Sequence, residues 1–243
     1  MKLAVLIATT AGLAAALPQG VARRGVGRPL HHSGPNIRNT TYPQYSSNWA
    51  GAVQIGTGFT SVYGTITVPS VHDRNPNAAA SAWVGIDGDT CQQAILQTGV
   101  SFYGDGSFDA WYEWIPDYAY SFSNFRLSAG DQIRMSVEAS SKRAGVATLE
   151  NLSTGQKVSH TFTSTPSTLC ETNAEWIVED FQEGSSLVPF ADFGTVTFTD
   201  AYATGSSGTV TPSGATIIDI KQGNEVLTNC ATSGSDLTCS YTG

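Results

Sequence analysis

From Ser46 onward, apolar and polar residues alternate in short runs, and each run is closed by turn residues. Residues 48–54 stop before Gly56 and Gly58. Residues 61–68 stop at Pro69, and 82–86 end at Asp87-Gly88-Asp89. Residues 93–102 close at Gly104-Asp105-Gly106, and the aromatic run 108–115 stops at Pro116. The same alternation covers 132–139, 147–151, 157–163, 174–181, 195–199, 216–222, 225–229 and 237–241, while 72–80 reads as a polar loop. No stretch keeps a helical period beyond a turn or two. No internal repeat is visible, and no linker follows Tyr45. Many short strands with regular turns predict an all-β sandwich or barrel.

Strand parity then sorts the side chains, because alternate residues share a face. Residues 173–181 put Glu175, Ile177, Glu179 and Phe181 on one face. Residues 81–99 group Trp83, Gly85 and Asp87, and also Gln93, Ile95 and Gln97. The aromatic strand groups Asp109, Trp111 and Glu113, with Tyr112 and Trp114 opposite. Gln97 in AILQTG and Glu179 in WIVEDF are strongly polar groups set among apolar neighbours. A buried polar group must find a partner, so the two are expected to face each other or a substrate. A carboxylate beside a primary amide can activate a water and hold a developing oxyanion.

Charge divides the chain. Lys2 and the apolar run Leu3–Leu17 form a secretory signal peptide over residues 1–17, with cleavage near Ala16. Residues 18–44 have no hydrophobic period and carry Arg23, Arg24, Arg28, Arg38, His31 and His32. Five of the twelve bases and none of the twenty acids precede Tyr45. Seven bases and twenty acids remain, a formal charge of −13 on the mature domain 45–243. A basic strip on an acidic body is expected to be a pro-segment held by electrostatic attraction. So acidic a body argues against nucleic acid, and no later run is long enough to span a membrane. A secreted monomer suited to acid is the expectation.

An even cysteine count in an oxidising compartment suggests two disulfides. Cys230 and Cys239 suit a hairpin bridge, which leaves Cys91 with Cys170. Their spacing matches no zinc pattern, and no metal or cofactor is expected. Asn151-Leu-Ser and Asn39-Thr-Thr are glycosylation sequons, and Asn151 survives processing. Hydrolytic chemistry narrows by elimination. The mature region has only His72 and His160, both expected at the surface, and no Gly-x-Ser-x-Gly elbow or His-Glu-x-x-His. Asp-Thr-Gly and Asp-Ser-Gly are missing as well. Glu175 and Glu179 lie about 13 Å apart along a strand, too far for a glycosidase pair. Carboxylates and amides remain.

The strings YSSNWAG (45–51), SAWVGIDGDTCQQAILQTG (81–99), YGDGSFDAWYEWIPD (103–117), ATLENLSTGQKVSHTF (147–162) and LCETNAEWIVEDF (169–181) resemble the glutamic peptidases, or eqolisins. These are secreted, pepstatin-insensitive acid endopeptidases, chiefly from filamentous fungi. The resemblance runs from about Ser46 to at least Phe198 and fades after Ala201. It implies a two-sheet antiparallel β-sandwich, a jelly roll of the concanavalin A or legume-lectin kind. It also implies catalytic Gln97 and Glu179, with Trp83 and Asp87 supporting them. Trp111 is expected at the wall of the substrate groove, while Glu113, Asp109 and Glu175 are expected to support neighbours or solubility. The implied substrates are proteins and peptides. A non-catalytic glycan-binding module on the same sandwich is the alternative, since aromatic residues on a concave face suit sugars.

Overall fold

The computed structural model describes residues 30–35, 37–39, 44–71 and 73–243. The expected signal peptide, the arginines at 23, 24 and 28, and His72 lie outside the described residues. So do the side chains of Arg38 and Asn39.

Two large sheets form the body. One has eight strands, in the order Gln156–Phe162, Ala144–Asn151, Gln132–Ser141, Ser61–Thr67, Thr195–Gly205, Asp236–Tyr241 and Thr228–Ser233, with Gly208–Val210 attached to Thr195–Gly205. The other has ten. Its central order is Thr216–Gln222, Trp49–Ile55, Asn173–Glu179, Ala79–Ile86, Ile95–Tyr103 and Phe108–Ile115. Pairing is antiparallel except where Thr216–Gln222 meets Gln44–Ser46. The expected β-sandwich is the observed architecture.

Period 2 dictates the layering. On the central strand Ala174, Trp176 and Val178 point between the sheets, where they join Val84, Leu96, Val62, Ile66 and Phe198. The Trp176 indole N–H donates to the Tyr63 carbonyl of the opposite sheet at 2.7 Å. Ile177 points the other way, into a second apolar cluster with Trp49, Val53, Trp83, Ile95, Trp111, Ile115 and Ile218. The central strand is therefore buried on both faces.

Two disulfides close the fold, Cys91–Cys170 and Cys230–Cys239, the pairs expected from spacing. Strand ends differ from expectation in places. Residues 79 and 80, expected in a loop, belong to the strand Ala79–Ile86. Residues 195–199 are the start of a strand that reaches Gly205. There Asp200 takes a positive φ of 48°, and the register shifts between Thr199 and Tyr202. That bulge breaks the alternation and hides the second half of the strand from a period-2 reading.

Candidate active site

Register builds the site. Across the outer face of the ten-stranded sheet, one row reads Val53, Glu175, Gly85, Gln97, Glu113. The next reads Gly51, Ile177, Trp83, Gly99, Trp111. A third reads Trp49, Glu179, Ser81, Ser101, Asp109. Gln97 and Glu179 thus lie on the same face, in the first and third rows, and both are fully buried.

Trp83 bridges those rows. Its indole N–H donates to Glu179 Oε2 at 3.0 Å. The far edge of the same ring lies over Gly85, beside Gln97. A Cβ at Gly85 would come 2.9 Å from Trp83 Cζ3, 3.3 Å from Gln97 Cβ and 3.4 Å from a Glu175 oxygen. Gly99 does similar work between the tryptophans, since a Cβ there would collide with Trp83 and the Ala82 carbonyl. Glycine at these two positions is what lets a large indole lie flat between two polar groups.

Glu113 fixes the amide. Gln97 Nε2 donates to Glu113 Oε2 at 2.7 Å. A primary amide carries two N–H donors, so one remains for another acceptor. Burial raises the pKa of Glu113, and the nearby histidines oppose that rise. Sequence reasoning assigned Glu113 no direct role. Its signal was positional, because it stands directly across from Gln97 on the same face. Other buried polar atoms of this face have no partner among the described residues, namely Gln97 Oε1, Trp111 Nε1 and Trp49 Nε1. Buried groups of this kind call for a partner, either a water or a bound chain.

The described part of the expected pro-segment lies across this face. Leu30–His31 pairs antiparallel with Gln182–Glu183, which continues into a hairpin with Ser186–Leu187 directly after Glu179. His32 is fully buried. Its ring stacks on Trp111 at 3.9 Å between centroids, and His32 Nδ1 and Glu179 Oε2 share a hydrogen bond of 2.7 Å. The Ser33 backbone N–H donates to Glu179 Oε1 at 3.3 Å. His31 Nδ1 stands 3.6 Å from Glu113 Oε1, and that carboxylate raises the imidazole pKa against the effect of burial. The contact with the acidic body is therefore made by histidines on the two site glutamates.

Other expected residues fall elsewhere. Asp87 takes a positive φ of 67°, and its carboxylate accepts the backbone N–H groups of Cys170, Glu171, Thr172 and Asn173. It braces the loop before the Glu179 strand and has no hydrogen bond to Gln97 or Glu179, so any support it gives them is indirect. Asp87, Cys91 and Cys170 are close enough to suggest a metal cluster, but both sulfurs are held in the disulfide. Asn151, expected as a glycan acceptor, is fully buried. Its amide nitrogen donates to Asp131 Oδ2 and the Arg126 carbonyl, and its oxygen accepts from Ser153 and Thr154. The folded chain offers that nitrogen to no glycan, and the side chain braces a turn instead. His160 stacks on Tyr112 at 4.0 Å and is half-buried, with its pKa lowered by burial.

A two-layer β-sandwich carrying a buried glutamine and glutamate on one outer face is the arrangement expected of a glutamic peptidase. The chain belongs to the Peptidase A4 family, whose model matches residues 47–241. It is 51% identical over 268 residues to aspergillopepsin-2 of Aspergillus niger, covering 96% of this chain and 95% of that one. It is 45% identical over 252 residues to scytalidopepsin B of Scytalidium lignicola, covering 98% and 96%. Its fold matches scytalido-glutamic peptidase bound to a transition-state analogue inhibitor. The TM-score is 0.78 at 49% identity, over 81% of this chain and 98% of that one. Aspergilloglutamic peptidase from Aspergillus niger matches with a TM-score of 0.66 at 60% identity, over 68% and 99%. The family and fold expected from the sequence strings are thus the ones found.

Proposed function

We propose that this protein is a secreted acid endopeptidase whose Glu179 and Gln97 hydrolyse peptide bonds through an activated water. The observation that carries it is Trp83, whose indole N–H holds the buried Glu179 carboxylate while its ring edge packs over Gly85, the residue directly across from the buried Gln97 on the same face. Glu179 takes a proton from water, and the water oxygen bonds to the scissile carbonyl carbon. The free N–H of Gln97 donates to the resulting oxyanion, with the amide held in place by Glu113. The C–N bond then breaks, and Glu179 returns its proton to the leaving nitrogen.

The basic segment is the second half of the proposal. Residues 30–35 are the described end of a pro-segment that shields the site until it is removed. His32 occupies Glu179 Oε2, where water must be activated. Acid weakens this hold, because protonation removes the carboxylate charge beneath the histidines. Glu113 accepts its proton at a higher pH than an ordinary glutamate.

The test is cleavage of acid-denatured casein in the presence of pepstatin. After acidification, wild-type protein should cut it. Gln97→Ala should lose about a hundredfold or more and Glu179→Gln about a thousandfold, with unchanged melting curves. Substantial activity in either folded variant rejects the pair. Mass spectra before and after acidification should show loss of the N-terminal segment.

A further inference from the structure

We propose that Asn48 binds the main chain of a substrate on the leaving-group side of the scissile bond, a role that rests on the assignment of Glu179 as proton donor to the leaving nitrogen. The segment already in the site shows the path. Its Ser33 N–H lies on Glu179 Oε1 at 3.3 Å, the place a leaving nitrogen must reach to collect its proton. Ser33 therefore stands where the first residue after a scissile bond would stand. His32 precedes it, and its imidazole on Oε2 takes the position of the attacking water. The segment follows a substrate's course while blocking the reagent, which explains how it lies in the site uncut.

The following peptide group meets Asn48. Asn48 Nδ2 donates to the Gly34 carbonyl at 3.3 Å and to Ser33 Oγ at 3.2 Å. Both contacts are long, and the orientation of the amide makes them informative. The Ser46 hydroxyl donates to Asn48 Oδ1 at 2.8 Å, so the oxygen is fixed inward and the NH2 faces the bound chain. The Asn48 carbonyl accepts from the Asp180 N–H at 2.9 Å, which locks this residue beside Glu179. Asn48 is only 2% exposed, so its bonds form away from bulk water. Beyond it lies a cavity of about 250 Å³ lined by Ser33, Asn48, Gln182, Leu187 and Gln222, among others. It has room for one side chain of the leaving fragment. A carbonyl clamp at this point requires a second residue past the cut bond. The site is therefore built for internal bonds, and a substrate whose chain ends after one residue has no second-residue main-chain carbonyl to give to Asn48.

The experiment uses the acid-processed enzyme and two peptides copied from one cleavage site mapped in denatured casein. They share the residues before the bond. One ends after the first residue beyond it, and the other continues for two more. The readout is the ratio of kcat/KM for the long peptide over the short one. Wild type should show a ratio on the order of tenfold, the worth of one buried hydrogen bond. Asn48→Ala and Asn48→Asp should each bring the ratio close to one. The aspartate keeps an oxygen for Ser46 and removes the donor once it is ionised, so reading its ratio across the pH range of its own titration separates the clamp from any effect on the turn. A wild-type ratio near one, or variants that keep the wild-type ratio, overturns the proposal. Failure of wild type to cut either peptide would condemn the assignment of Gln97 and Glu179 instead, and the role of Asn48 with it.

Discussion

Glu175 and Glu179 are the same residue type on the same strand, face the same way and are both fully buried, yet their surroundings are opposite. Glu179 meets donors: the Trp83 indole, the His32 ring and the Ser33 amide. Glu175 meets acids. Burial, then Asp87 and Asp89, raise its pKa well above the usual carboxylate range, with the Asp89 amide opposing. Apart from that amide, its oxygens meet no hydrogen-bond partner among the described residues. Under the proposed function, burial alone therefore does not make a reactive carboxylate in this sheet. The groups facing it decide whether it is held for proton transfer or keeps its proton as a structural acid.

The largest expected effect breaks the comparison outright. Glu179→Gln should lower kcat by about a thousandfold, whereas Glu175→Gln should change it by no more than a few-fold. Comparable losses in both variants would show that the two acids act as a unit. A smaller effect comes from the histidine that only Glu179 meets. A synthetic peptide spanning residues 28–35 should inhibit the processed enzyme, and replacing its second histidine (His32→Ala) should weaken inhibition by about tenfold to a hundredfold. Equal inhibition by both peptides would remove His32 from the contact.

The smallest effect concerns stability. Glu175, Glu113 and Asp109 have raised pKa values through burial, and Asp180 is pushed up to about 8. Each binds its proton more tightly folded than unfolded, so the folded state holds more protons across this range. Their stabilising contribution is complete below pH 4 and is lost as pH rises toward and past 8. The melting temperature should therefore fall between pH 4 and pH 8. Glu175→Gln should flatten that slope by a few degrees, as calorimetry can measure. A slope unchanged by this variant would show that Glu175 does not drive it.

The face that carries the site was legible because a strand has an exact two-residue period. Once WIVEDF and AILQTG are strands, the sides of Glu179 and Gln97 follow. The Cys91–Cys170 pair was legible because a short hairpin bridge left no other choice. Glu113 was visible in parity but had no assigned partner, since cross-strand register is a long-range property. Asp87 was placed near the site by the family resemblance, yet its carboxylate is spent on the backbone of the 170–173 loop. Asn151 looked like an acceptor because a sequon says nothing about burial. Residues 30–35 have no period at all, so their lie across the site could be read only as charge. The side chains that meet Glu113 and Glu179 among the described residues are histidines, and the arginines that suggested the attraction lie outside them.

Gln182–Glu183 offers one row of backbone donors and acceptors, and Leu30–His31 already lies on it. Only a short stretch of chain connects this occupant to the body at Gln44, so its local concentration is on the order of millimolar. Under the proposed function, a dissolved protein at ordinary abundance competes at a disadvantage with so closely tethered a rival. Severing that link dilutes the rival to its bulk concentration, and one cut changes the balance without altering any contact in the cleft.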